Sequence, residues 1–450
     1  MSPSQSESAL LPAPGQIGEV ACVSDRTQTY ALYVPSSYTP GKRWPIIYFF
    51  DPSGRGRRPL DLYKGIAETY GFILAGSNNS RNFSSNQSAS VNAVWVDTQQ
   101  RFSIDEHRIY SSGFSGGARV AGAMALNCPQ CQIAGVIAHG AGYPTNHTDS
   151  KDKLLYFLAV GTRDFNWPEV VTIRRQREDR GQPYRVDVFD GSHQWAPPEV
   201  MEDAIQWLTL HAMQQEVMSA DPAFIEKRFR RMESELQGAQ KKNDPIAQFS
   251  AYRSLVSDFA GFRPVDEFTK SFAELKQSAA LKKALQNEKD DINEQFALER
   301  EISPKLRKYL EGKSDDARAL SLEIVRAMAA LKNQAAHAKD EQKRLIYARA
   351  YDDMRVEGME NGQQELEGGH FARAEDCFEL MAQVSDDPWP HLLLAETHAL
   401  SGNRTQAMRD LQDAVKHGLK DPEVLESDPR LQTLKSDAAF RKLLLDLKHP

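Results

Sequence analysis

The sequence lacks the features of several protein classes. No hydrophobic run approaches the ~20 residues that a membrane-spanning helix requires, so no membrane span is predicted. The formal net charge of −7 excludes the basic surface with which nucleic-acid-binding proteins neutralise phosphates. The first residues hold neither the basic region nor the apolar region of a signal peptide. We therefore expect a soluble globular protein that is cytoplasmic or, if a leader has been removed, secreted or part of the cell envelope.

Cysteine is scarce, at four residues in the whole chain. Only Cys128 and Cys131 are close in sequence, in the stretch "CPQC". No second pair of Cys or His residues has the spacing that would complete a zinc site, so we expect no metal. For this pair, a local disulfide and two reduced thiols are both consistent with the sequence.

Up to about Leu210, short apolar runs alternate with amphipathic stretches. Several runs are apolar on consecutive residues, as in strands that are buried on both faces. The predicted strands are residues 46–50, 71–76, 108–113, 133–140, 154–161 and 184–190. The predicted helices between and after them are residues 61–70, 91–101, 117–126, 169–180 and 198–210. This alternation predicts a doubly wound, mostly parallel sheet, preceded by an antiparallel hairpin around "GEVACVS" and "YALYVPSSY".

After Leu210 the composition shifts to Lys, Glu, Gln, Ala and Leu at helical spacing, which predicts an all-α region. Near its end, residues 368–381 superimpose on residues 401–414, an offset of 33 residues. The shared Gly…Ala…Phe/Leu…Met/Ala pattern resembles the second helix of a tetratricopeptide repeat. Such repeats stack into surfaces that bind proteins, so a protein partner is possible here.

The stretch "GFSGG" places Ser115 between two glycines, after a predicted strand and before a predicted helix. This is the arrangement of a nucleophile elbow, in which a strained turn lifts one hydroxyl to the tip of the bend. Gly113 and Gly117 avoid collisions with the neighbouring strand and helix. The helix that starts at the serine directs free N–H groups at whatever the hydroxyl attacks. A glycine turn with a capping serine is the alternative interpretation.

A serine hydroxyl needs a base that removes its proton. In an elbow fold the acid and then the histidine follow the serine in chain order, each after a later strand. "GTRDFNW" supplies Asp164 and "FDGSHQW" supplies His193 in that order. His139 is the alternative base and Asp190 the alternative acid.

Acyl transfer also needs hydrogen-bond donors for the developing oxyanion. The Gly116 N–H, directly after the serine, is the first candidate. The second should come from "DPSGRG", the loop after residues 46–50. Pro52 has no N–H, so Ser53 is the predicted donor, with Gly54 as the alternative.

The polar loop "AGSNNSRNFSSNQS" is predicted to open on the same sheet edge as Ser115. Asn78, Asn79 and Arg81 are therefore candidate substrate contacts, with ordinary turn chemistry as the alternative. Trp195 and Trp167 each follow a member of the candidate triad. Either could line the substrate pocket or pack against the sheet edge.

With "GFSGG", "GTRDFNW" and "GSHQWAPPEVMEDAIQWL" in place, the segment of residues 17–210, less than half of the chain, resembles an α/β-hydrolase. It is most similar to carboxylesterases of the feruloyl esterase and polyhydroxyalkanoate depolymerase branch; dienelactone hydrolases share the core but carry cysteine at the position of Ser115. The resemblance implies ester hydrolysis through an acyl-enzyme, without a cofactor or metal. The substrate would be a small-molecule, glycan or polymer ester.

The predicted organisation is a disordered tail over residues 1–16 and an α/β-hydrolase catalytic domain over residues 17–212. A helical region over residues 213–355 and tetratricopeptide-like repeats over residues 356–450 follow. We predict a serine esterase whose helical module binds a partner or positions the enzyme. Two alternatives are an inactive hydrolase fold that serves a protein-binding scaffold, and a serine peptidase.

Overall fold

The computed structural model describes residues 11–143, 153–312 and 316–449. The chain forms two compact units, Met1–Asp290 and Asp291–Pro450. Most of the predicted disordered tail, residues 1–10, lies outside the described residues. Within residues 11–16, the Gly15 N–H donates to the Val34 carbonyl at 2.7 Å. Every helix in the described part of the chain is too short or too polar to span a bilayer.

The first unit is built on an eight-stranded sheet with the strand order β1-β2-β4-β3-β5-β6-β7-β8. The strands are β1 (Ile17–Ala21), β2 (Thr29–Tyr33), β3 (Trp44–Phe50), β4 (Ile73–Ser77), β5 (Ile104–Phe114), β6 (Ile133–His139), β7 (Leu155–Gly161) and β8 (Tyr184–Phe189). β2 pairs antiparallel with β1 and β4, and all other pairs are parallel. This is the α/β-hydrolase arrangement, so the predicted fold class and the opening hairpin are confirmed.

Both faces of the sheet are covered by helices. These are α1 (Arg57–Tyr70), α2 (Gln87–Arg101), α3 (Gly116–Asn127), α4 (Trp167–Asp179) and α5 (Pro198–Gln214). α1 and α5 pack on one face, and α2, α3 and α4 pack on the other. β3 therefore contributes Ile46, Tyr48 and Phe50 to one core and Ile47 and Phe49 to the other. This double burial is the reason that its sequence is apolar at consecutive positions.

The predicted helices are all present, with ends that differ by a few residues. α1 begins at Arg57, four residues before the predicted start, and includes Pro59 in its first turn. Proline is tolerated there because the first N–H groups of a helix have no intrahelical partner. A short 3₁₀ helix, Pro129–Cys131, follows α3, and Cys128 and Cys131 form a disulfide.

Three further helices, α6 (Pro222–Lys241), α7 (Pro245–Asp258) and α8 (Asp266–Gln277), belong to the first unit. A buried ionic cluster joins α6 to α5 and to the sheet. Asp203 of α5 accepts a hydrogen bond from Arg228 of α6 at 2.5 Å and pairs with Arg185 of β8 at 2.7 Å. The division of the chain into separate domains at residues 212 and 355 stays a prediction.

α9 (Ala279–Leu310) contributes residues to both units, and the second unit is otherwise helical in its described part. Its helices are α10 (Ala317–His337), α11 (Glu341–Glu367), α12 (Phe371–Val384), α13 (Trp389–Leu400), α14 (Arg404–Lys416), α15 (Pro422–Ser427) and α16 (Ala438–Lys448), with a 3₁₀ helix at Pro429–Leu434.

The internal repeat corresponds to α12 and α14. Gly369 and Gly402 precede them with φ of 75° and 86°, which only glycine adopts readily. The paired apolar positions of the two copies are all buried, namely Ala374 with Ala407, Phe378 with Leu411 and Met381 with Ala414. The two segments thus have the same local structure, and their membership of the tetratricopeptide family stays a prediction.

Candidate active site

Ser115 lies in a strained turn between the end of β5 and the start of α3. Its φ of 53° and ψ of −123° form a conformation that L-residues rarely adopt. Its N–H donates to the His139 carbonyl at 2.9 Å, and its own carbonyl accepts from the Ala118 N–H at 3.0 Å. These two bonds hold the backbone on both sides of the Ser115 side chain, which is the local structure expected of an elbow.

The two flanking glycines are required by space. A Cβ on Gly113 would lie 2.2 Å from the Gly117 carbonyl oxygen. A Cβ on Gly117 would lie 1.9 Å from the carbonyl oxygen of Phe50, at the end of β3. Both distances are far inside van der Waals contact, so any side chain at either position would push α3 away from the sheet.

His193 and Asp164 lie side by side at the ends of β8 and β7. The Nδ1–H of His193 donates to Oδ1 of Asp164 at 2.9 Å. The carboxylate is completely buried, and its Oδ1 also accepts from the Asn166 N–H at 2.9 Å. Because Nδ1 is directed at the carboxylate, Nε2 is the ring nitrogen that remains for a proton transfer.

Two phenylalanine rings and one glycine, none of them indicated by the sequence, lie next to the His193–Asp164 pair. The centroid of the imidazole lies 4.5 Å from that of Phe114 and 4.3 Å from that of Phe165. A Cβ on Gly140 would lie 2.6 Å from Oδ2 of Asp164 and 3.1 Å from Nδ1 of His193. In the sequence, Phe114 directly precedes Ser115 and Phe165 directly follows Asp164. Their positions next to two candidate catalytic residues could have identified them.

The alternative base and acid have other contacts. His139 is completely buried, contacts Ser112 Oγ through Nε2 at 3.2 Å and packs on the rings of Tyr63 and Trp195. Burial lowers the pKa of His139 to about 3, so its ring is neutral at ordinary pH. Asp190 is exposed and pairs with Arg163 at 2.6 Å.

The loop after β3 is organised around its first residue. Asp51 is completely buried and accepts from the Trp195 indole N–H at 3.1 Å. Its Oδ1 accepts from the Ser53 N–H at 2.9 Å, so the predicted second oxyanion donor is bound to a carboxylate within its own loop. The Gly54 N–H donates to the Asp51 carbonyl at 3.0 Å. The Trp195 side chain is only 8% exposed, and its ring packs against the rings of Phe114 and His139.

The predicted substrate contacts lie in the loop after β4. Oδ1 of Asn78 accepts from the Gly56 N–H at 3.1 Å, and Oδ1 of Asn79 accepts from the Thr29 N–H at 2.8 Å. These bonds tie the loop to the strand β2 and to the segment after β3. Arg81 is exposed in the same loop. A substrate-contact role stays a prediction for all three, as it does for Trp195 and Trp167.

The chemistry available is that of a hydroxyl, an imidazole and a carboxylate at the carboxyl edge of a parallel sheet. Within the described ranges, no group of three or more His, Cys, Asp or Glu residues is placed to hold a metal ion.

The chain matches no protein-family model and no curated protein. Several solved structures are similar to its N-terminal part. One is the substrate-bound form of FphF, a fluorophosphonate-binding serine hydrolase of Staphylococcus aureus, with 14% identity and a TM-score of 0.36 over 44% of this chain and 99% of that one. Another is the S-formylglutathione hydrolase FrmB of the same organism, with 12% identity and a TM-score of 0.35 over 44% and 99%. A ferulic acid esterase matches with 15% identity and a TM-score of 0.32 over 40% and 88%.

Proposed function

We propose that this protein is a serine hydrolase that cleaves carboxylic esters through an acyl-enzyme. The observation that carries the proposal is the strained turn at Ser115, with φ of 53°, at the same sheet edge as the His193–Asp164 pair. A fold tolerates such strain where function requires the conformation. The hydrogen-bonded imidazole supplies the base without which a serine hydroxyl is a poor nucleophile.

In the first step, Nε2 of His193 takes the proton of Ser115 as Oγ attacks the ester carbonyl carbon. Asp164 accepts from Nδ1, which fixes the tautomer and stabilises the imidazolium that forms. The Gly116 N–H, at the start of α3, donates to the developing oxyanion. The tetrahedral intermediate collapses when the imidazolium gives its proton to the leaving alkoxide. The products of this step are the alcohol and an acylated Ser115.

In the second step, water replaces the alcohol. Nε2 of His193 takes one proton from the water as its oxygen attacks the acyl carbonyl carbon. The bond to Ser115 Oγ then breaks, and the imidazolium returns the proton to Oγ. The carboxylic acid leaves, and the enzyme is restored without a cofactor or a metal.

The test is hydrolysis of a panel of p-nitrophenyl, feruloyl and acetyl-sugar esters. We expect turnover of at least one ester class, and loss of most of it in Ser115→Ala and in His193→Ala. The double variant should be little slower than either single variant, because the residues act as a unit. Hydrolysis of a peptide anilide by the same protein tests the alternative that it is a serine peptidase. Turnover that persists in Ser115→Ala would overturn the proposal.

We also propose that the helical unit Asp291–Pro450 binds a partner or positions the enzyme. Trp389 of α13 leaves 41% of its surface exposed, although large aromatic side chains are usually buried. Trp389→Ala should leave turnover of a soluble p-nitrophenyl ester unchanged. A fall in that turnover would show that the unit takes part in the reaction itself.

A further inference from the structure

His193 lies in the middle of a short segment, residues 190–197, that connects β8 to α5. The start of this segment is bound to the loop of the candidate acid, because the Gly191 carbonyl accepts from the Arg163 N–H at 2.8 Å. The imidazole itself is bound to Asp164 at 2.9 Å. These bonds hold the segment from the side of β7, so the position of the base also depends on what holds the residues after His193.

After His193, a buried carboxylate and a buried hydroxyl hold the segment. The Trp195 indole N–H donates to Oδ2 of Asp51, which lies 144 residues earlier in the chain, at 3.1 Å. The Ala196 carbonyl accepts from the hydroxyl of Tyr63 at 2.7 Å. Asp51 follows β3 and Tyr63 lies in α1. The histidine segment is therefore bound to two separate parts of the sheet edge, one before His193 and one after it.

The Asp51 carboxylate is a strong acceptor for the indole. A buried indole N–H needs an acceptor, since it can no longer bond to water. A hydrogen bond to a charged carboxylate is about twice as strong as one between neutral groups. Oδ1 of Asp51 accepts from the Ser53 N–H at 2.9 Å and from Nε of Arg55 at 3.2 Å, and these two bonds fix the direction of Oδ2. The acceptor is thus held in place by its own loop.

The ring of Trp195 lies next to the neighbours of both reacting side chains. Its centroid is 5.8 Å from that of Phe114, which directly precedes Ser115. The Phe114 ring in turn packs against the imidazole of His193, with 4.5 Å between the centroids. Loss of the bond to Asp51 would allow the indole to rotate, and Phe114 and His193 could then shift. A misplacement of about 1 Å in catalytic groups lowers the rate by about 10²-fold.

We propose that Asp51 is a positioning residue for His193, on which it acts through the indole of Trp195. This inference rests on the proposed function. Asp51 takes up no proton in the reaction. It holds Trp195, and Trp195 holds Phe114 and the histidine segment in the position from which the imidazole acts as the base.

The experiment removes the donor and the acceptor of this bond separately. Trp195→Phe keeps an aromatic ring but removes the N–H, and Asp51→Ala removes the carboxylate. Trp207→Phe is the control for the first change. The Trp207 side chain is 1% exposed, and its indole N–H has no acceptor among the described residues.

Asp97→Ala is the control for the second change. Asp97 is 1% exposed, accepts from the Tyr30 hydroxyl at 2.7 Å and pairs with Arg101 at 2.6 Å. Its arginine partner lies four residues later, as Arg55 does for Asp51. The two carboxylates thus have similar bonds, and those of Asp97 connect α2 to β2 instead of to the histidine segment.

The measurements are kcat and KM for the best p-nitrophenyl ester, the rate of fluorophosphonate labelling, and the melting temperature, with all rates taken well below melting. We expect kcat and the labelling rate to fall by about 10²-fold in Trp195→Phe and in Asp51→Ala, with KM little changed. The double variant should be little slower than either single variant, since both changes remove the same bond. The two controls should keep kcat close to that of the wild type, whatever their loss of stability.

Wild-type kcat in either Trp195→Phe or Asp51→Ala would overturn the inference, as would losses that multiply in the double variant. A rise in KM alone would also overturn it, because Trp195 would then be a substrate contact. Equal losses of kcat in the controls would show that any buried change slows the reaction, which is a third contradicting result. If Asp51→Ala does not fold, the comparison of Trp195→Phe with Trp207→Phe decides the question.

The same measurements separate this inference from the proposed function. A wild-type protein that is labelled by the fluorophosphonate keeps the proposed function intact, whatever the variants do. A wild-type protein that reacts neither with any ester nor with the fluorophosphonate overturns the proposed function itself.

Discussion

The imidazole of His193 donates to the completely buried carboxylate of Asp164 at 2.9 Å. The same imidazole packs against the rings of Phe114 and Phe165. This contact fixes which ring nitrogen faces the substrate side. It also distinguishes Asp164 from Asp190, whose side chain is 86% exposed and bound to Arg163. Asp190 is three residues from His193 in the sequence, whereas Asp164 is 29 residues away but contacts the imidazole, so a matched pair of substitutions can separate their roles.

Asp164→Asn should lower kcat by about 10⁴-fold, because an amide no longer selects the tautomer that leaves Nε2 free to accept a proton. Asp190→Asn removes only a surface ion pair and should leave kcat within twofold. Steady-state hydrolysis of a p-nitrophenyl ester measures both. A larger loss in Asp190→Asn than in Asp164→Asn would reassign the acid.

Gly140→Ala should displace the Asp164–His193 pair, since the added Cβ would lie 2.6 Å from Asp164 Oδ2. A misplacement of about 1 Å in the catalytic groups lowers the rate by about 10²-fold. Gly181→Ala is the matched control. Its φ of 64° resembles the 60° of Gly140, but nothing lies within 4 Å of its added Cβ. Both variants should lose about 1–2 kcal/mol of stability from the backbone strain, and only Gly140→Ala should lose activity. Equal activities would show that the contact with Asp164 does not matter.

Gly117→Ala should destabilise the first unit by at least about 1–3 kcal/mol, because the new Cβ would lie 1.9 Å from the Phe50 carbonyl oxygen. Gly65→Ala in α1 makes the same change where nothing lies within 4 Å. It should raise the stability by about 0.5–1 kcal/mol, since alanine favours a helix more than glycine does. Urea unfolding curves of the two variants test the contrast. A stable, active Gly117→Ala variant would contradict the close packing of α3 on β3.

Stability should fall below pH 6.5 because of His139. Burial lowers the pKa of this ring to about 3 in the folded protein, while the unfolded chain takes up a proton near 6.5. The unfolded state therefore binds more protons between these values, and the stability contribution present above pH 6.5 is lost as the pH falls towards 3.

Between pH 6.5 and 5.0 this effect amounts to about 2 kcal/mol. His139→Gln should remove it. Urea unfolding at pH 7.5 and pH 5.0 compares the two proteins, and an equal pH dependence in both would show that His139 is protonated when folded.

The sequence predicted the sheet and the order serine, acid, histidine, because both leave local signals. Strands buried on two faces are apolar at consecutive positions, and the elbow needs glycines two residues either side of Ser115. Long-range contacts leave no such signal. The use of the Ser53 N–H by Asp51 depends on side-chain direction, and the bond from Trp195 to Asp51 depends on how two distant loops meet. Gly140 was missed for the same reason, since its neighbours Asp164 and His193 are remote in sequence.

The central claim is that the hydroxyl of Ser115 becomes acylated. Mass spectrometry of the protein after reaction with a fluorophosphonate probe tests it directly. We predict stoichiometric modification of the peptide that contains Ser115, absent in Ser115→Ala and strongly slowed in His193→Ala. A wild-type protein that stays unmodified, or a Ser115→Ala variant that is modified as readily, would contradict it.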